Sequence, residues 1–113
     1  MPSRSPNPPK PVSLSAVAVL DAITRRIRHG FDIMDATGLP SGTVYPILGR
    51  LERDGYVRSR WEAGTTAARE KRPPRRYYEV TAAGVKALTH SIEHYRTLGG
   101  RVDLAGTLAP LPE

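Results

Sequence analysis

The segment Ser41-Gly42-Thr43-Val44-Tyr45-Pro46-Ile47-Leu48-Gly49-Arg50-Leu51-Glu52-Arg53-Asp54-Gly55 predicts one helix with two different faces. Its apolar residues recur at the i, i+3, i+4 and i+7 spacing of a buried helical stripe. They are Val44, Ile47, Leu48 and Leu51. We expect Ser41 to cap the helix, because its hydroxyl can accept an otherwise unpaired backbone N–H. Gly55 suits the left-handed position that follows a helix end.

The opposite face of this helix is small, hydroxylated or cationic. It consists of Gly42, Thr43, Tyr45, Pro46, Gly49, Arg50 and Arg53. Such a surface can lie close to a phosphate backbone and to base edges. Because Pro46 cannot donate a hydrogen bond to the carbonyl of Gly42, we expect a loosened first turn.

The residues before this helix complete a helix-turn-helix pattern. Ser13 is a predicted N-cap, and the helix after it is apolar on several sides and ends near residues 28–30, which include His29. A short helix follows, and residues 37–40 break it. Its inward residues are predicted to be Phe31, Ile33, Met34 and Ala36.

After Gly55 the pattern changes from helical to alternating, which predicts a β-hairpin. Residues 56–61 form the first predicted strand and residues 75–80 the second. Residues 62–74 are predicted to be a mobile loop rich in cations. A basic loop beside a helix-turn-helix is the wing of a winged helix. The expected fold class is therefore mostly α with a small β-hairpin.

Thr81 is predicted to cap the last helix. The apolar residues of this helix are spaced like the a and d positions of a coiled coil. They are Val85, Leu88, Ile92 and Tyr95. We expect this helix to join two copies of the chain, and the alternative is that it packs on its own domain. The predicted organisation is a proline-rich flexible arm (1–12), a winged helix-turn-helix (13–80), a dimerisation helix (81–98) and a flexible tail (99–113).

The net charge of the 113-residue chain, +6, is unevenly distributed. Residues 40–80 contain nine cationic and five acidic side chains, and the arm contains Arg4 and Lys10. A basic excess in one structural unit is typical of a protein that binds a polyanion. The chain has no cysteine, which excludes disulfides and thiolate metal sites. No stretch approaches the ~20 apolar residues that span a membrane.

Enzyme chemistry has weak support in the sequence. The segment from His90 to His94 spells H-x-x-E-H, a zinc-peptidase pattern, but it lies inside the apolar seam of the last helix. We identify no Gly-rich phosphate loop and no supported nucleophile, base and acid set. The sequence therefore predicts no catalytic residues, no metal and no cofactor.

Four blocks of the sequence resemble the PadR family of winged-helix transcriptional regulators. They are His29-Gly30-Phe31, residues 42–48, residues 51–57 and residues 72–84. The resemblance implies a bacterial cytoplasmic repressor that binds operator DNA as a homodimer through its C-terminal helix, as in the smaller branch of the family. The DNA-facing positions that it implies are Ser41, Thr43, Tyr45 and Arg50 in the helix and Lys71, Arg72, Arg75 and Arg76 in the wing.

Several alternatives stay open. Tyr45 either faces DNA or packs beneath the wing. Trp61 is either a core residue or, with Tyr95, an aromatic wall for a small hydrophobic effector, as the family resemblance implies. For the whole chain, the alternatives to a sequence-specific repressor are a protein-interaction module and a non-specific basic nucleic-acid-binding domain.

Overall fold

The computed structural model describes residues 10–100. Most of the two predicted arms, residues 1–9 and 101–113, lies outside the described residues. Within residues 10–100 the elements are α1 (Leu14–Thr24), α2 (Gly30–Thr37), α3 (Ser41–Arg53), β1 (Val57–Trp61), α4 (Gly64–Arg69), β2 (Arg76–Val80) and α5 (Ala82–Gly99). This mostly helical chain with one small hairpin confirms the predicted fold class.

The core lies where α1 packs against α2, α3, α5 and β2. The predicted apolar stripe of α3 is buried in this core, as expected. Val19 and Leu20 of α1 and Ile33 of α2 are fully buried beside it. The stripe therefore fixes α3 by one face and leaves the opposite face outside.

Helix α1 begins as predicted and ends earlier than predicted. The Ser13 hydroxyl accepts the N–H of Ala16 at 3.1 Å. The helix ends at Thr24, and Arg26 adopts a left-handed φ of 72°. A non-glycine residue seldom adopts this conformation, so the sequence did not indicate a stop there. The prediction that α1 extends to residues 28–30 was wrong.

Helix α3 is capped differently from the prediction. Ser41 is its first helical residue, and Pro40 occupies the N-cap position. The Pro40 carbonyl accepts the N–H groups of Thr43 and Val44 at 2.9 and 3.0 Å. The helix continues without a break through Pro46 and ends before Gly55, whose φ of 80° matches the predicted left-handed position.

The hairpin is antiparallel, as predicted, and its register pairs Val57 with Val80 and Trp61 with Arg76. The segment between the strands is more ordered than the predicted mobile loop, because it contains α4 and buries Ala67. Residues 57–80, which comprise β1, α4 and β2, are called the wing below.

Helix α5 begins at the predicted cap, where the Thr81 hydroxyl accepts the N–H of Gly84. Gly84 lies so close to the residue before β1 that a Cβ there would be 2.1 Å from the carbonyl oxygen of Tyr56. The inward face of α5 also includes the buried residues Ala87, Leu88 and Ser91. Only part of the predicted seam therefore faces the core.

The end of the predicted N-terminal arm is fixed on α5. The N–H of Val12 donates to the hydroxyl of Ser91 at 3.0 Å. The hydroxyl of Tyr95 donates to the carbonyl of Val12 at 2.8 Å.

None of the helices between residues 10 and 100 combines the length and apolar character that crossing a membrane requires.

Candidate nucleic-acid interface

The outer face of α3 carries the residues that the sequence predicted to face DNA. Ser41, Tyr45 and Arg50 are exposed, and Thr43 is half-buried. The buried stripe on the other side prevents the helix from rotating without losing its core contacts. These four side chains thus belong to a surface with a fixed orientation.

Tyr45 packs on α2 rather than only projecting from α3. A Cβ on Gly30 would lie 2.5 Å from the Tyr45 hydroxyl oxygen and 2.6 Å from a ring carbon. The Tyr45 side chain can occupy this position because Gly30 has no side chain. About half of Tyr45, 49%, stays exposed. This contact explains why residue 30 is a glycine. The sequence alone did not indicate that Gly30 and Tyr45 are in contact.

The tip of the wing is closed by an ion pair between Glu62 and Arg72. The guanidinium donates two hydrogen bonds to the two carboxylate oxygens, at 2.6 and 2.7 Å. The Arg75 N–H and the Tyr77 hydroxyl also donate to this carboxylate. The hydrogen bond from Arg72 is the main reason why the pKa of Glu62 is lowered from 4.5 to about 2, although burial acts in the opposite direction.

The two members of this pair are largely hidden, with side-chain exposures of 5% for Glu62 and 19% for Arg72. The same carboxylate raises the pKa of Arg72. Arg72 is therefore a structural residue that closes the wing, and its charge is largely neutralised. The sequence showed a run of cations here and did not reveal that one of them is paired with Glu62.

The start of β2, near the tip of the wing, meets α2 through His29. The Nε2 atom of His29 lies 2.9 Å from a carboxylate oxygen of Asp32 and 3.3 Å from the Nη1 atom of Arg75. The ring also contacts Tyr77 edge to face. The sequence assigned His29 to the end of α1, whereas it occupies the N-cap position of α2 and connects that helix to the wing.

Arg76 connects the wing to α3. Its Nε donates to the Ser59 hydroxyl at 2.9 Å, and its Nη2 lies 3.4 Å from a carboxylate oxygen of Glu52. The Ser59 hydroxyl donates to the other Glu52 oxygen at 2.7 Å. The guanidinium of Arg76 lies over the Trp61 ring, 5.5 Å from its centroid. This network sets the position of the wing relative to α3.

Two other features complete the cationic side of the wing. Lys71 is exposed in the turn after α4 and has a left-handed φ of 57°. Arg75 is exposed just before β2.

Burial raises the pKa of Tyr78 in β2, and the charge of Arg76 partly opposes this shift.

A groove of about 660 Å³ lies between α2, α3 and the part of the wing formed by Trp61 and residues 72–78. Its aromatic walls are Phe31, Tyr45 and Trp61, and Arg75 and Arg76 lie at its wing side. Phe31 is 73% exposed and Trp61 is 63% exposed. The predictions that Phe31 and Ala36 point inward were therefore wrong, since both are exposed. Of the two alternatives for Trp61, its exposure excludes the core residue. We call this feature the wing groove.

The predicted dimerisation residues divide into two pairs. Leu88 is buried in the core of its own chain, and Tyr95 is half-buried beside Val12. Val85 and Ile92 are 49% and 37% exposed. Leu88 and Tyr95 of the predicted seam therefore pack within their own chain, whereas Val85 and Ile92 are exposed on the outer side of α5.

The histidines of the H-x-x-E-H segment lie near the end of α5. His90, Glu93 and His94 line a shallow surface depression there, and the His94 ring contacts Tyr95 edge to face. Across residues 10–100, no group of three or more His, Asp or Glu side chains is placed to hold a metal ion.

Comparison with solved structures finds the same fold in other regulators. A PadR-like transcription factor from Bacteroides fragilis has a TM-score of 0.63 at 24% identity, with 74% of this chain and 82% of that chain covered. A transcriptional regulator from Thermoplasma acidophilum has a TM-score of 0.60 at 26% identity, covering 85% and 94%. A PadR-family regulator from Eggerthella lenta has a TM-score of 0.54 at 26% identity, covering 71% and 72%.

A comparison with curated proteins finds no match. A comparison with family models matches residues 19–90 to the family described as "Transcriptional regulator PadR-like family". The match includes α2, α3, the wing and the start of α5. Members of this family regulate transcription and are not enzymes. With an exposed α3 face beside a cationic wing, the chain belongs to the PadR-like family and is a DNA-binding transcriptional regulator.

Proposed function

We propose that this protein is a dimeric, sequence-specific repressor that places α3 in the major groove of an operator. The observation that carries the proposal is the division of α3 into a buried stripe and an exposed polar face. The fixed face brings short polar side chains and one arginine to a convex surface. A helix of this kind is the element that reads base edges in helix-turn-helix proteins.

The individual roles follow from chemistry and position. Thr43 can contact a thymine methyl group or a phosphate, and the Tyr45 hydroxyl can donate to a phosphate oxygen. Ser41 lies in the first turn of α3, where free backbone N–H groups favour an anion. Arg50 is exposed about two and a half turns beyond Ser41 and is assigned to a phosphate or a guanine.

The wing contributes phosphate contacts in this proposal. Lys71, Arg75 and Arg76 are exposed cations on its surface. Arg72 acts indirectly, because its guanidinium is engaged by Glu62 and keeps the tip of the wing folded. Of the four wing cations that the family resemblance implied, three are therefore assigned to DNA and one to structure.

The proposed dimer forms through the outer side of α5. Val85, Ile92 and Leu98 leave apolar surface on this helix, and Leu14 of α1 is 64% exposed. Exposed apolar surface on two elements that pack together supports an interface between two copies. A dimer would place two copies of α3 on successive half-sites of one operator.

Release by a small hydrophobic effector is a subsidiary part of the proposal. The two aromatic residues suggested for it lie on different elements, since Trp61 lines the wing groove and Tyr95 lies on α5 beside Val12. Tyr95 is the better candidate, because its half-buried ring borders the proposed dimer face. We assign the protein to the cytoplasm, where its operator is located.

Binding of the purified protein to its own promoter fragment and to a scrambled fragment of equal length tests the proposal. At near-physiological salt, we expect the promoter fragment to be retained and the scrambled fragment to be lost. Equal binding to both fragments, with both affinities falling together as salt rises, would leave only a non-specific basic domain.

The dimer is tested separately by sedimentation. We expect the unmodified protein to sediment as a dimer and the Ile92→Asp variant to sediment as a folded monomer, because a buried unpaired carboxylate is unfavourable at an apolar interface. Lys86→Asp, an exposed change on the same helix, is the control. Identical sedimentation of all three proteins would remove α5 from the proposed interface.

A further inference from the structure

The aromatic residues of the wing groove are unusually exposed for their size. Phe31 and Trp61 each leave more than 60% of their surface open, and neither belongs to the residues assigned to DNA. Both line the same groove as Tyr45, which is on the exposed face of α3. Large aromatic side chains that converge on one surface mark a binding site more often than isolated exposed residues do.

The charge of the groove indicates an anionic occupant. Arg75 and Arg76 lie on its wing side, and His29 lies at its α2 side. Among the described residues that line it, none is acidic. Three carboxylates contact residues of its lining: Asp32 contacts His29, Glu52 contacts Arg76 and Glu62 contacts Arg72. Arg75 and the free side of Arg76 supply the positive charge that remains.

The position of the groove identifies which anion crosses it. If α3 occupies the major groove and the wing reaches the adjacent minor groove, one DNA strand separates the two grooves and must pass between α3 and the wing. The wing groove is the space between these elements. Aromatic rings can pack against the apolar faces of deoxyribose, while arginines contact the flanking phosphates.

We propose that the wing groove seats the sugar–phosphate backbone of one operator strand, with Phe31 and Trp61 as apolar contacts to the sugars and Arg75 and Arg76 as phosphate contacts. This inference rests on the proposed placement of α3 and adds two residues to the interface. The Trp61 ring has a second task, since it also supports the Arg76 guanidinium at 5.5 Å. Phe31 and Trp61 set the path of the strand and therefore the spacing between major-groove and minor-groove contacts.

Trp61 is the only tryptophan in the chain, so its fluorescence reports on this groove alone. The test measures acrylamide quenching of the protein with and without its promoter fragment, while anisotropy of a labelled copy of the fragment records binding. We expect quenching to fall several-fold in the complex. Bound DNA with unchanged quenching would overturn the groove assignment and leave the proposed function intact. Absence of any specific binding would overturn both.

Variants separate an apolar contact from a general structural effect. We expect Phe31→Ala and Trp61→Ala each to weaken promoter binding about five- to tenfold, because each change removes a large apolar contact area. Phe31→Leu and Trp61→Phe should restore most of the affinity. The slope of log affinity against log salt should stay unchanged in Phe31→Ala, since that side chain releases no counterions.

Two outcomes would contradict the inference. A Phe31→Leu variant as weak as Phe31→Ala would assign Phe31 a structural role, and circular dichroism would show whether α2 has changed. Protection of Trp61 from acrylamide by benzoate in the absence of DNA would instead assign the groove to a small aromatic anion.

Discussion

Two sides of the molecule each place a glycine against a tyrosine, and the two contacts differ in kind. On one side, which we call the scaffold side, Gly84 of α5 lies against the backbone carbonyl of Tyr56. This carbonyl is fixed, because it accepts the N–H of Thr81 at 3.0 Å. On the side of the wing groove, Gly30 lies against the ring and hydroxyl of Tyr45, which belong to a movable side chain.

This difference indicates how the protein separates folding from binding. A change at a contact with fixed backbone must displace an element of the core. A change at a contact with a side chain can be relieved by rotating that side chain, and the fold then survives while the surface changes. Mutations on the scaffold side should therefore lower stability, and mutations around the wing groove should lower DNA affinity at nearly constant stability.

The largest effect is expected for Gly84→Ala. The new Cβ would overlap the Tyr56 carbonyl, so α5 must move away from the Tyr56 backbone, at a cost of about 3 kcal/mol in the free energy of unfolding. Urea unfolding measures the loss. Gly49→Ala is the matched control, because its Cβ would meet open space, and this change should stabilise α3 by roughly 0.5–1 kcal/mol. If the two variants were equally stable, close packing of Gly84 against the Tyr56 carbonyl would not contribute to stability.

The next effect concerns the tip of the wing and depends on pH. Because the pKa of Glu62 is lowered to about 2, its ionised form stabilises the folded protein above pH 4.5, and this contribution is lost as the pH falls from 4.5 toward 2. We expect Glu62→Gln to lower the melting temperature at pH 7. The difference from the unmodified protein should shrink across that window.

The control for this prediction is Glu70→Gln. Glu70 contacts the same guanidinium of Arg72 at 3.0 Å, but its side chain is 56% exposed, so solvent screens the interaction. Glu70→Gln should change the melting temperature little, both at pH 7 and as the pH falls from 4.5 toward 2. A larger loss in Glu70→Gln than in Glu62→Gln would show that the hidden pair does not close the wing.

A third prediction concerns Gly30→Ala, which should reduce promoter binding about tenfold, equivalent to about 1.4 kcal/mol. The reason is that the new methyl group displaces the Tyr45 side chain. Stability should change little, because the displaced atoms are the far end of a side chain and not backbone. In a Tyr45→Ala background the same change should have almost no effect on binding. An equal loss of affinity in both backgrounds would exclude displacement of Tyr45 as the cause.

The smallest effect is expected for Arg75→Ala. Loss of one phosphate contact should weaken binding a few-fold and lower the salt slope by about 1. Arg58→Ala, on the same hairpin, is the control, since Arg58 is also exposed, at 75% of its side chain, and points toward Glu79. A salt slope that changes equally in both variants would show that Arg75 has no special role in binding DNA.

Much of the fold could be predicted because it depends on local patterns. The stripe of α3, the hairpin and the caps at Ser13 and Thr81 each follow from residues close together in sequence. The contacts that the sequence did not reveal are those that periodicity does not encode. The partner of Arg72 is ten residues away, and the glycine that accommodates Tyr45 lies in another helix.

The exposed aromatic residues show the same limit. Phe31 and Trp61 have the composition of core residues, and periodicity places them on the inner side of their elements. Only the packing of α2 against α3 and the wing determines that they line an open groove. For the same reason, the sequence predicted the residues on the exposed face of α3 but did not predict the groove beside it.

The attachment of Val12 to α5 also has a consequence for the order of folding. It joins residues that are 79 and 83 positions apart, so in the unfolded chain it would close a loop that spans almost the whole domain. During synthesis, Ser91 leaves the ribosome after the entire helix-turn-helix and wing. The nascent chain can therefore assemble α1, α2, α3 and the hairpin first. Docking of Val12 on α5 then completes the domain as one of its last steps.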